Sequence, residues 1–206
     1  GQPALAQTVS DQPDARVMAM LGREGEHPEG WFLPETYTYR RGTSDLDLLR
    51  QAHEAMRQAL DQAWAGRNET SVVASPYEAL ILASIIEKET GVADERRRIA
   101  GVFSRRLAIG MRLQTDPTVI YGLGSGFDGN LRRRDLDTDT PYNTYTRAGL
   151  PPTPIAAPGW ASLLAAVQPA STKAMYFVAR GDGSSQFSEN LSQHNQAVRR
   201  YILKQP

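Results

Sequence analysis

The segment Ser75–Gly91 constrains the fold most strongly, because it has the pattern of one complete helix that is apolar on every face. Ser75 is a favourable N-cap, Pro76 suits the first helical turn, and Glu78 completes a capping-box pattern. Gly91 is expected to end the helix in a left-handed conformation. Since the centre of the segment carries no charge, we expect the rest of the protein to enclose it.

Glu87 follows this apolar stretch directly and is the first candidate for a functional side chain. At about 100° per residue it falls on the stripe of Leu80, Ala83 and Ser84, which directs its carboxylate into the protein or a cleft. Low-dielectric surroundings and the negative end of a helix both favour a protonated carboxyl, which suits a general acid–base group. The alternative is an ordinary solvated glutamate of a last turn, and this is what we expect of Glu89.

The composition excludes several classes of function. Lys plus Arg and Asp plus Glu number 23 each, so the net charge gives no general attraction to nucleic acid or to an anionic membrane. The absence of cysteine excludes disulfides and thiolate chemistry, and the spacing of His27, His53 and His194 does not predict a zinc site. No stretch has the length and apolarity of a transmembrane helix. We therefore expect no metal and no organic cofactor.

The periodicity of apolar residues predicts an α+β fold that is rich in helices and has one small antiparallel β element. Besides the segment above, helices are predicted over residues 15–21, 44–65, 94–109, 159–167 and 188–203. A strand over residues 174–180, followed by a Gly-rich turn, predicts a β-hairpin.

A long segment with little periodicity, residues 111–158, lies between the predicted helices and is rich in Gly, Pro, Thr, Asn and Tyr. Loops of this length inside a compact domain are usually functional or disordered. The aromatic, amide and hydroxyl side chains argue against disorder. We interpret the segment as an ordered loop region that lines a cleft, with a short helix near Asp116–Tyr121.

The same loop region supplies side chains that suit the binding of a sugar. Sugars present hydroxyl groups and flat C–H faces, which amides, carboxylates and aromatic rings recognise, although Tyr/Asn-rich loops also bind peptides. The candidate substrate-binding residues are Gln114, Thr115, Asp116, Tyr121, Asn143 and Tyr145, together with Tyr142 and Thr144. A polar cleft of this kind around one protonatable glutamate fits the cleavage of a glycosidic bond.

Two further motifs indicate structure rather than chemistry. The arginine runs Arg96–Arg98 and Arg132–Arg134 have acidic neighbours, so local salt bridges or a solvated face are expected rather than phosphate contacts. The glycine-rich stretch Gly122–Gly126 lacks the preceding strand and the following Lys-Ser/Thr of a phosphate-binding loop, and a flexible turn is expected there.

A catalytic triad of Ser84, His194 and Asp116 could be composed from the residue types alone. The sequence around Ser84 lacks the G-x-S-x-G pattern that exposes a nucleophilic serine. We therefore do not predict serine catalysis, and we interpret His194 as a structural residue that forms hydrogen bonds.

Several long segments occur together in the order expected of one family. They are ASIIEKET (Ala83–Thr90), GMRLQTDPTVIYG (Gly110–Gly122), PYNTYTRAGLPPTPIAAPG (Pro141–Gly159), YFVARGDG with the later HN (Tyr176–Asn195), and EGWFLPETY (Glu29–Tyr37). These segments resemble the endolytic murein transglycosylases of the YceG-like family. The resemblance runs over about residues 29–206.

The resemblance implies that Glu87, the first glutamate of the E-K-E-T motif, is catalytic. The implied reaction cleaves the β-1,4 bond between N-acetylmuramic acid and N-acetylglucosamine within peptidoglycan strands, without hydrolysis, and leaves a 1,6-anhydro-muramic end; such an enzyme is a lyase. Glu87 would first donate a proton to the departing glycosidic oxygen and then accept one from the C6 hydroxyl. Two alternatives stay open: a muramidase-type hydrolase that uses Glu87 and Asp116, and a noncatalytic glycan-binding module.

The resemblance also implies where such a protein acts. It implies a single-pass anchor in the bacterial inner membrane, with the enzyme at the periplasmic face, and a small LysM-like module before the catalytic domain. We expect the anchor to lie outside this sequence. We interpret residues 1–30 as a linker or a remnant of that module and residues 31–206 as the catalytic domain. The implied partners are peptidoglycan glycan strands and the peptidoglycan synthases whose strand elongation the enzyme would terminate; no nucleic acid is expected.

Overall fold

The helix-rich α+β architecture predicted from the sequence is confirmed in a computed structural model, which describes residues 5–205. The helices in this range are α1 (Asp14–Met20), α2 (Asp45–Ala65), α3 (Pro76–Glu89), α4 (Arg96–Ala108), α5 (Asp116–Leu123), α6 (Arg133–Asp137), α7 (Trp160–Val167) and α8 (Leu191–Tyr201). The strands β1 (Tyr176–Ala179) and β2 (Ser185–Ser188) form an antiparallel hairpin. None of the helices within residues 5–205 is long and apolar enough to cross a membrane.

Helix α3 forms the centre of the core. Its residues 79–86 are all buried, and it packs against α2, α4, α5 and α7, as expected of a helix that is apolar on every face. At its N-terminus the Ser75 hydroxyl accepts a hydrogen bond from the amide of Glu78. The Glu78 carboxylate accepts the amide of Ala74, the residue before the N-cap, at 2.7 Å, instead of the Ser75 amide that a complete capping box would use.

The prediction that Gly91 ends α3 in a left-handed conformation is wrong. The C-cap is Thr90, whose backbone is extended at φ −147° and ψ 136°, and Gly91 has no positive φ. The chain leaves the helix in this way because the Thr90 hydroxyl accepts the amide of Val92 at 3.0 Å and fixes the turn into α4. After α4, Gly110 does adopt a positive φ, of 68°.

Residues 5–30 pack against the start of α2. Ala6 forms a parallel bridge with Ser44, and the Asp45 carboxylate accepts hydrogen bonds from the amides of Thr8 and Val9. In α1, the side chain of Met18 is fully buried. The interpretation of residues 1–30 as a linker or module remnant stays a prediction, and residues 1–4 lie outside the described part of the chain.

The segment 111–158 is ordered and carries helices α5 and α6, of which α5 confirms the short helix predicted near Asp116. Ion pairs connect Arg132 with Asp128 at 2.6 Å and Arg147 with Asp139 at 2.8 Å. The first of these pairs confirms the local salt bridges predicted for the arginine run 132–134. The glycine-rich stretch forms a short 3₁₀ turn at Gly124–Gly126.

The β-hairpin and α8 close one end of the molecule beside α4. The carboxylate of Glu95, just before α4, is buried and accepts hydrogen bonds from the amide and the hydroxyl of Ser185, both at 2.7 Å. In the same region, the Arg106 guanidinium donates to the carbonyl of Met175 at 2.7 Å. These bonds hold the hairpin beside α4, so that Phe103 and Arg106 of α4 and Tyr176 of β1 line one cavity.

Candidate active site

A cavity of about 350 Å³ opens where the end of α3, the start of α5 and strand β1 meet. Four of the candidate substrate-binding residues line it: Gln114, Thr115, Asp116 and Tyr145. The glutamate that shares this cavity with them is Glu89. The loop region after α4 therefore contributes to a cleft together with the last turn of the buried helix.

Glu89 is partly buried in the cavity wall and accepts a hydrogen bond from the Thr115 hydroxyl. The expectation that Glu89 is solvated is therefore wrong. Burial raises the pKa of the Glu89 carboxyl, and the nearby negative charge of Asp116 acts in the same direction. The hydrogen bond from Thr115 and the positive charge of Arg106 oppose this rise. A carboxyl with a raised pKa can hold a proton and donate it, as a general acid must.

Glu87 lies on another side of the same helix and does not line the cavity. Its Oε2 accepts hydrogen bonds from the Gly159 amide at 3.1 Å and from the Ser162 hydroxyl at 2.6 Å. These donors belong to the start of α7, so Glu87 joins the end of α3 to the first turn of α7. Successive helical residues turn by about 100°, so residues two apart point in nearly opposite directions.

A network of threonines fixes the segment that carries Gln114 and Thr115. The Gln114 amide donates to the carbonyl of Thr144 at 3.1 Å, and the Thr115 amide donates to the Thr144 hydroxyl at 3.1 Å. The buried hydroxyl of Thr118 donates to the Thr115 carbonyl at 2.8 Å and lies 2.9 Å from the Thr144 hydroxyl. Gln114 has a positive φ of 50°, which is uncommon for a residue with a side chain. The network holds this conformation at the mouth of the cavity.

Asp116 and Tyr145 form a pair on the same rim of the cavity. The Tyr145 hydroxyl donates to Asp116 Oδ1 at 2.5 Å. Burial of the ring and the adjacent Asp116 carboxylate raise the pKa of Tyr145, so the phenol stays protonated and serves as a donor. The Arg112 side chain donates to the Tyr145 carbonyl at 2.9 Å and holds this residue against the start of α5.

The opposite wall consists of Arg106, Tyr176 and His194. Arg106 is 6% exposed and donates to the carbonyls of Met175 and Leu113, each at 2.7 Å. Its guanidinium lies 5.1 Å from the centre of the Tyr176 ring, and the His194 ring stacks on Tyr176 at 5.1 Å with an interplanar angle of 23°. His194 has a buried Nδ1 atom without a hydrogen-bond partner within residues 5–205. Its interpretation as a structural hydrogen-bonding residue is therefore wrong.

The YceG-like family model matches residues 3–200 of the chain. The chain belongs to the YceG-like family. An endolytic murein transglycosylase of Bacillus subtilis (strain 168) is 36% identical over 199 residues, which make up 96% of this chain and 55% of that protein. Another, of Streptococcus pneumoniae serotype 2 (strain D39 / NCTC 7466), is 28% identical over 179 residues, or 84% of this chain and 32% of that protein.

The comparison with solved structures agrees with this membership. The crystal structure of a YceG-like protein from Listeria monocytogenes has a TM-score of 0.71 and 35% sequence identity, and it covers 90% of this chain and 64% of that chain. The resemblance to the YceG-like family inferred from the sequence motifs is thus confirmed. The chain spans about half the length of its Bacillus relative and a third of its Streptococcus relative.

Asn143, a predicted substrate-binding residue, is only 1% exposed in this YceG-like chain. Its side-chain nitrogen donates to the carbonyls of Asp135, Leu136 and Thr138. Its side-chain oxygen accepts the Tyr145 amide at 2.8 Å. All the polar atoms of the side chain are thus used inside the protein. Asn143 organises the loop and does not line the cavity, and its role in substrate binding stays a prediction.

Tyr121, the other predicted substrate-binding residue outside the cavity lining, lies further along α5. Its ring packs against Tyr142 with centres 5.0 Å apart. Burial, with the nearby Glu29 charge, raises the pKa of Tyr121 to about 12. Because α5 carries Asp116 at one end and Tyr121 more than a turn away, the two predicted site residues reach different surroundings. Tyr121 does not line this cavity, and its role in substrate binding stays a prediction.

The triad composed on paper is excluded by the position of Ser84. The Ser84 side chain is fully buried; its hydroxyl donates to the Ile81 carbonyl at 2.7 Å and accepts the Ile155 amide at 2.9 Å. A serine in this state cannot reach a substrate. Within residues 5–205, no group of three or more His, Asp or Glu side chains is arranged to hold a metal ion.

Proposed function

We propose that this chain is the catalytic part of an endolytic murein transglycosylase, which cleaves β-1,4 bonds between N-acetylmuramic acid and N-acetylglucosamine inside peptidoglycan strands. Relatives that carry this name support the proposal. The observation that carries it is the position of Glu89: a partly buried carboxyl with a raised pKa shares one polar cavity with Gln114, Asp116 and Tyr145. Amide, carboxylate and phenol groups around a protonated acid suit a sugar substrate.

We propose Glu89 as the general acid–base group. The motif resemblance implies Glu87 for this role, but the two glutamates have different surroundings. The Glu87 carboxylate is engaged by two donors from α7, whereas Glu89 lines the cavity beside Asp116. A general acid must come within hydrogen-bond reach of the oxygen that it protonates, and this requirement favours Glu89.

The proposed reaction needs only one such group. Protonated Glu89 donates its proton to the glycosidic oxygen as the bond to C1 of the muramic residue breaks. The Glu89 carboxylate then takes the proton of the C6 hydroxyl while that oxygen bonds to C1 and closes the 1,6-anhydro ring. Glu89 is protonated again at the end, and no water is consumed.

A muramidase-type hydrolase is the second candidate, because a carboxylate pair lies in the cavity. In such an enzyme Asp116 would act as the nucleophile or activate a water molecule, with Glu89 as the acid. One oxygen of Asp116 already accepts the Tyr145 hydroxyl at 2.5 Å, and this engagement favours a role in positioning. A hydrolytic product is heavier than the anhydro product by one water, so mass spectrometry distinguishes the two reactions.

The decisive experiment is mass spectrometry of uncrosslinked glycan strands incubated with wild type, Glu89→Gln and Glu87→Gln. We expect wild type and Glu87→Gln to produce anhydro-muramic ends and Glu89→Gln to produce none. Reducing ends would favour the hydrolase. Loss of cleavage in folded Glu87→Gln alone would return the acid–base role to Glu87. A folded wild type that binds strands without cleaving them would favour the noncatalytic glycan-binding module.

The cellular setting is proposed with the function. The chain spans 55% of its Bacillus relative, so we propose that the remaining parts of such a protein include the anchor that holds it at the outer face of the cytoplasmic membrane. Peptidoglycan synthases are the proposed partners, since termination of a nascent strand needs the enzyme beside the polymerase. Membrane fractionation and in-cell crosslinking of the full-length protein test both points; recovery of the protein in the soluble fraction would contradict the anchor.

A further inference from the structure

His194 is the cavity residue whose chemistry the proposed reaction leaves unused. It lies on α8, in the wall of the cavity that also contains Glu89. Its Nδ1 atom is buried and has no hydrogen-bond partner in the described part of the chain, whereas Nε2 is not enclosed in this way. Nδ1 is therefore the enclosed nitrogen of a ring that lines the cavity.

This arrangement selects one form of the imidazole. Burial and the positive charge of Arg106 lower the pKa of His194, so the neutral ring is favoured. A neutral imidazole carries one N–H group, and a proton on Nδ1 would be a buried donor without an acceptor. The favoured tautomer therefore has its N–H at Nε2, on a side chain that lines the cavity.

The ring is also held in a fixed orientation. It stacks on Tyr176, and the other neighbour of Tyr176 is the guanidinium of Arg106. Arg106 is in turn bound by backbone carbonyls of Leu113 and Met175, next to the segment that carries Gln114. A donor that is already oriented binds its acceptor at a smaller cost in conformational entropy than a mobile side chain does.

We propose that His194 is a substrate-binding residue, whose Nε2–H donates a hydrogen bond to an acceptor oxygen of the sugar held beside Glu89. This inference rests on the proposed function, since it requires a glycan in the cavity. We take the acceptor to be a sugar hydroxyl or the carbonyl of an N-acetyl group, since these are stronger neutral acceptors than the ether oxygens of the strand.

Three substitutions separate the N–H group from the ring that carries it. His194→Phe keeps an aromatic ring on Tyr176 and removes the donor. His194→Gln carries an amide N–H at nearly the distance of Nε2 from the backbone, whereas the shorter His194→Asn carries it at the distance of Nδ1. The three variants together therefore test for an N–H donor at the position of Nε2. Thermal melting followed by circular dichroism shows whether each variant keeps the fold.

The readouts are KM and kcat for strand cleavage, and the Kd for uncrosslinked strands measured in a Glu89→Gln background. We expect His194→Phe and His194→Asn to raise KM and Kd about three- to tenfold, with a smaller change in kcat, and His194→Gln to recover much of the loss. If all three variants have the same Kd as the Glu89→Gln protein with His194 intact, the proposed role of His194 is overturned. Failure of wild type to cleave would overturn the proposed function instead, while the Kd comparison still decides the inference.

A second substrate identifies the acceptor. If the N-acetyl carbonyl accepts the bond, the effect of His194→Phe on Kd disappears with de-N-acetylated strands. If a hydroxyl accepts it, the same effect persists with those strands. Recovery by His194→Asn but not by His194→Gln would contradict the proposal, because it would place the active donor at Nδ1.

Discussion

Glu87 and Glu89 lie on one turn of α3 and bind different partners: Glu87 accepts hydrogen bonds from the start of α7, whereas Glu89 accepts the Thr115 hydroxyl in the cavity wall. Side chains two residues apart on a helix are separated by about 200°. One helix end therefore does two things: it joins α3 to α7 on one side and presents a carboxyl to the cavity on the other.

The first prediction separates these two roles. Glu89→Gln is expected to lower the cleavage rate by at least about 10²-fold, since it removes the proposed general acid. Glu87→Ala is expected to lower the free energy of unfolding by about 1–3 kcal/mol, because the donors at Gly159 and Ser162 lose their acceptor. Product analysis by mass spectrometry and urea unfolding measure the two effects. A Glu87→Ala protein that is fully stable and inactive would reverse the assignment.

The second prediction concerns activity and pH. Because Glu89 must be protonated to act as the acid, kcat/KM should fall as the pH rises through the raised pKa of Glu89. Asp116 contributes to that rise by its charge. Asp116→Asn should therefore move the descending limb of the pH profile to lower pH. If Asp116→Asn stays active and the descending limb of its pH profile does not move, a group other than Glu89 determines that limb.

The third prediction concerns stability and pH. The raised pKa of Glu89 means that the native state holds its proton more tightly than the unfolded chain does. The resulting stabilisation is complete below the ordinary value of 4.5 and is lost as the pH rises through the native pKa. We therefore compare the free energies of unfolding of wild type and Glu89→Gln. The advantage of wild type over the variant should decrease as the pH rises from 4.5 through the native pKa of Glu89. A difference that is constant with pH would contradict the burial of this carboxyl.

The fourth prediction concerns the loop hub at Asn143. Asn143→Ala should lower the free energy of unfolding by about 2–3 kcal/mol, because the carbonyls of Asp135, Leu136 and Thr138 lose a buried donor. Asn130 is exposed and provides the control, since Asn130→Ala should change stability by less than about 0.5 kcal/mol. Urea unfolding measures both variants; equal effects would contradict the structural role of Asn143.

The fifth prediction compares two glycines that follow helices. Gly91 has no positive φ and no heavy atom within 4 Å of an added Cβ, so Gly91→Ala should be neutral or stabilising by up to about 1 kcal/mol. Gly110 has a φ of 68°, and Gly110→Ala should destabilise by about 1–2 kcal/mol despite equal space. Thermal melting of the pair tests the ends of α3 and α4. A similar loss of stability in both variants would instead support a left-handed conformation at Gly91.

The sequence by itself determined the main helices, the hairpin and the family, although it did not predict α6 or the end of α3 at Thr90. Periodic apolar residues predict the bounds of α2 and α3 within a residue or two. A helix with apolar side chains on one face or on every face must bury those side chains against the rest of the protein. The hairpin, the short helix at Asp116 and the local ion pair of Arg132 follow from equally local rules. The motif order identifies the YceG-like family, and the residue types of the loop indicate a polar cleft.

Only the tertiary structure decided which of these side chains meet. Periodicity shows that Glu87 points away from solvent, but it cannot distinguish a contact with α7 from a place in a cavity. Asn143 and Tyr145 are two residues apart in a loop without periodicity, and their different roles depend on which backbone carbonyls surround each. Glu89, His194 and Asp116 come from distant parts of the chain. Their meeting depends on long-range packing, which local sequence rules do not encode.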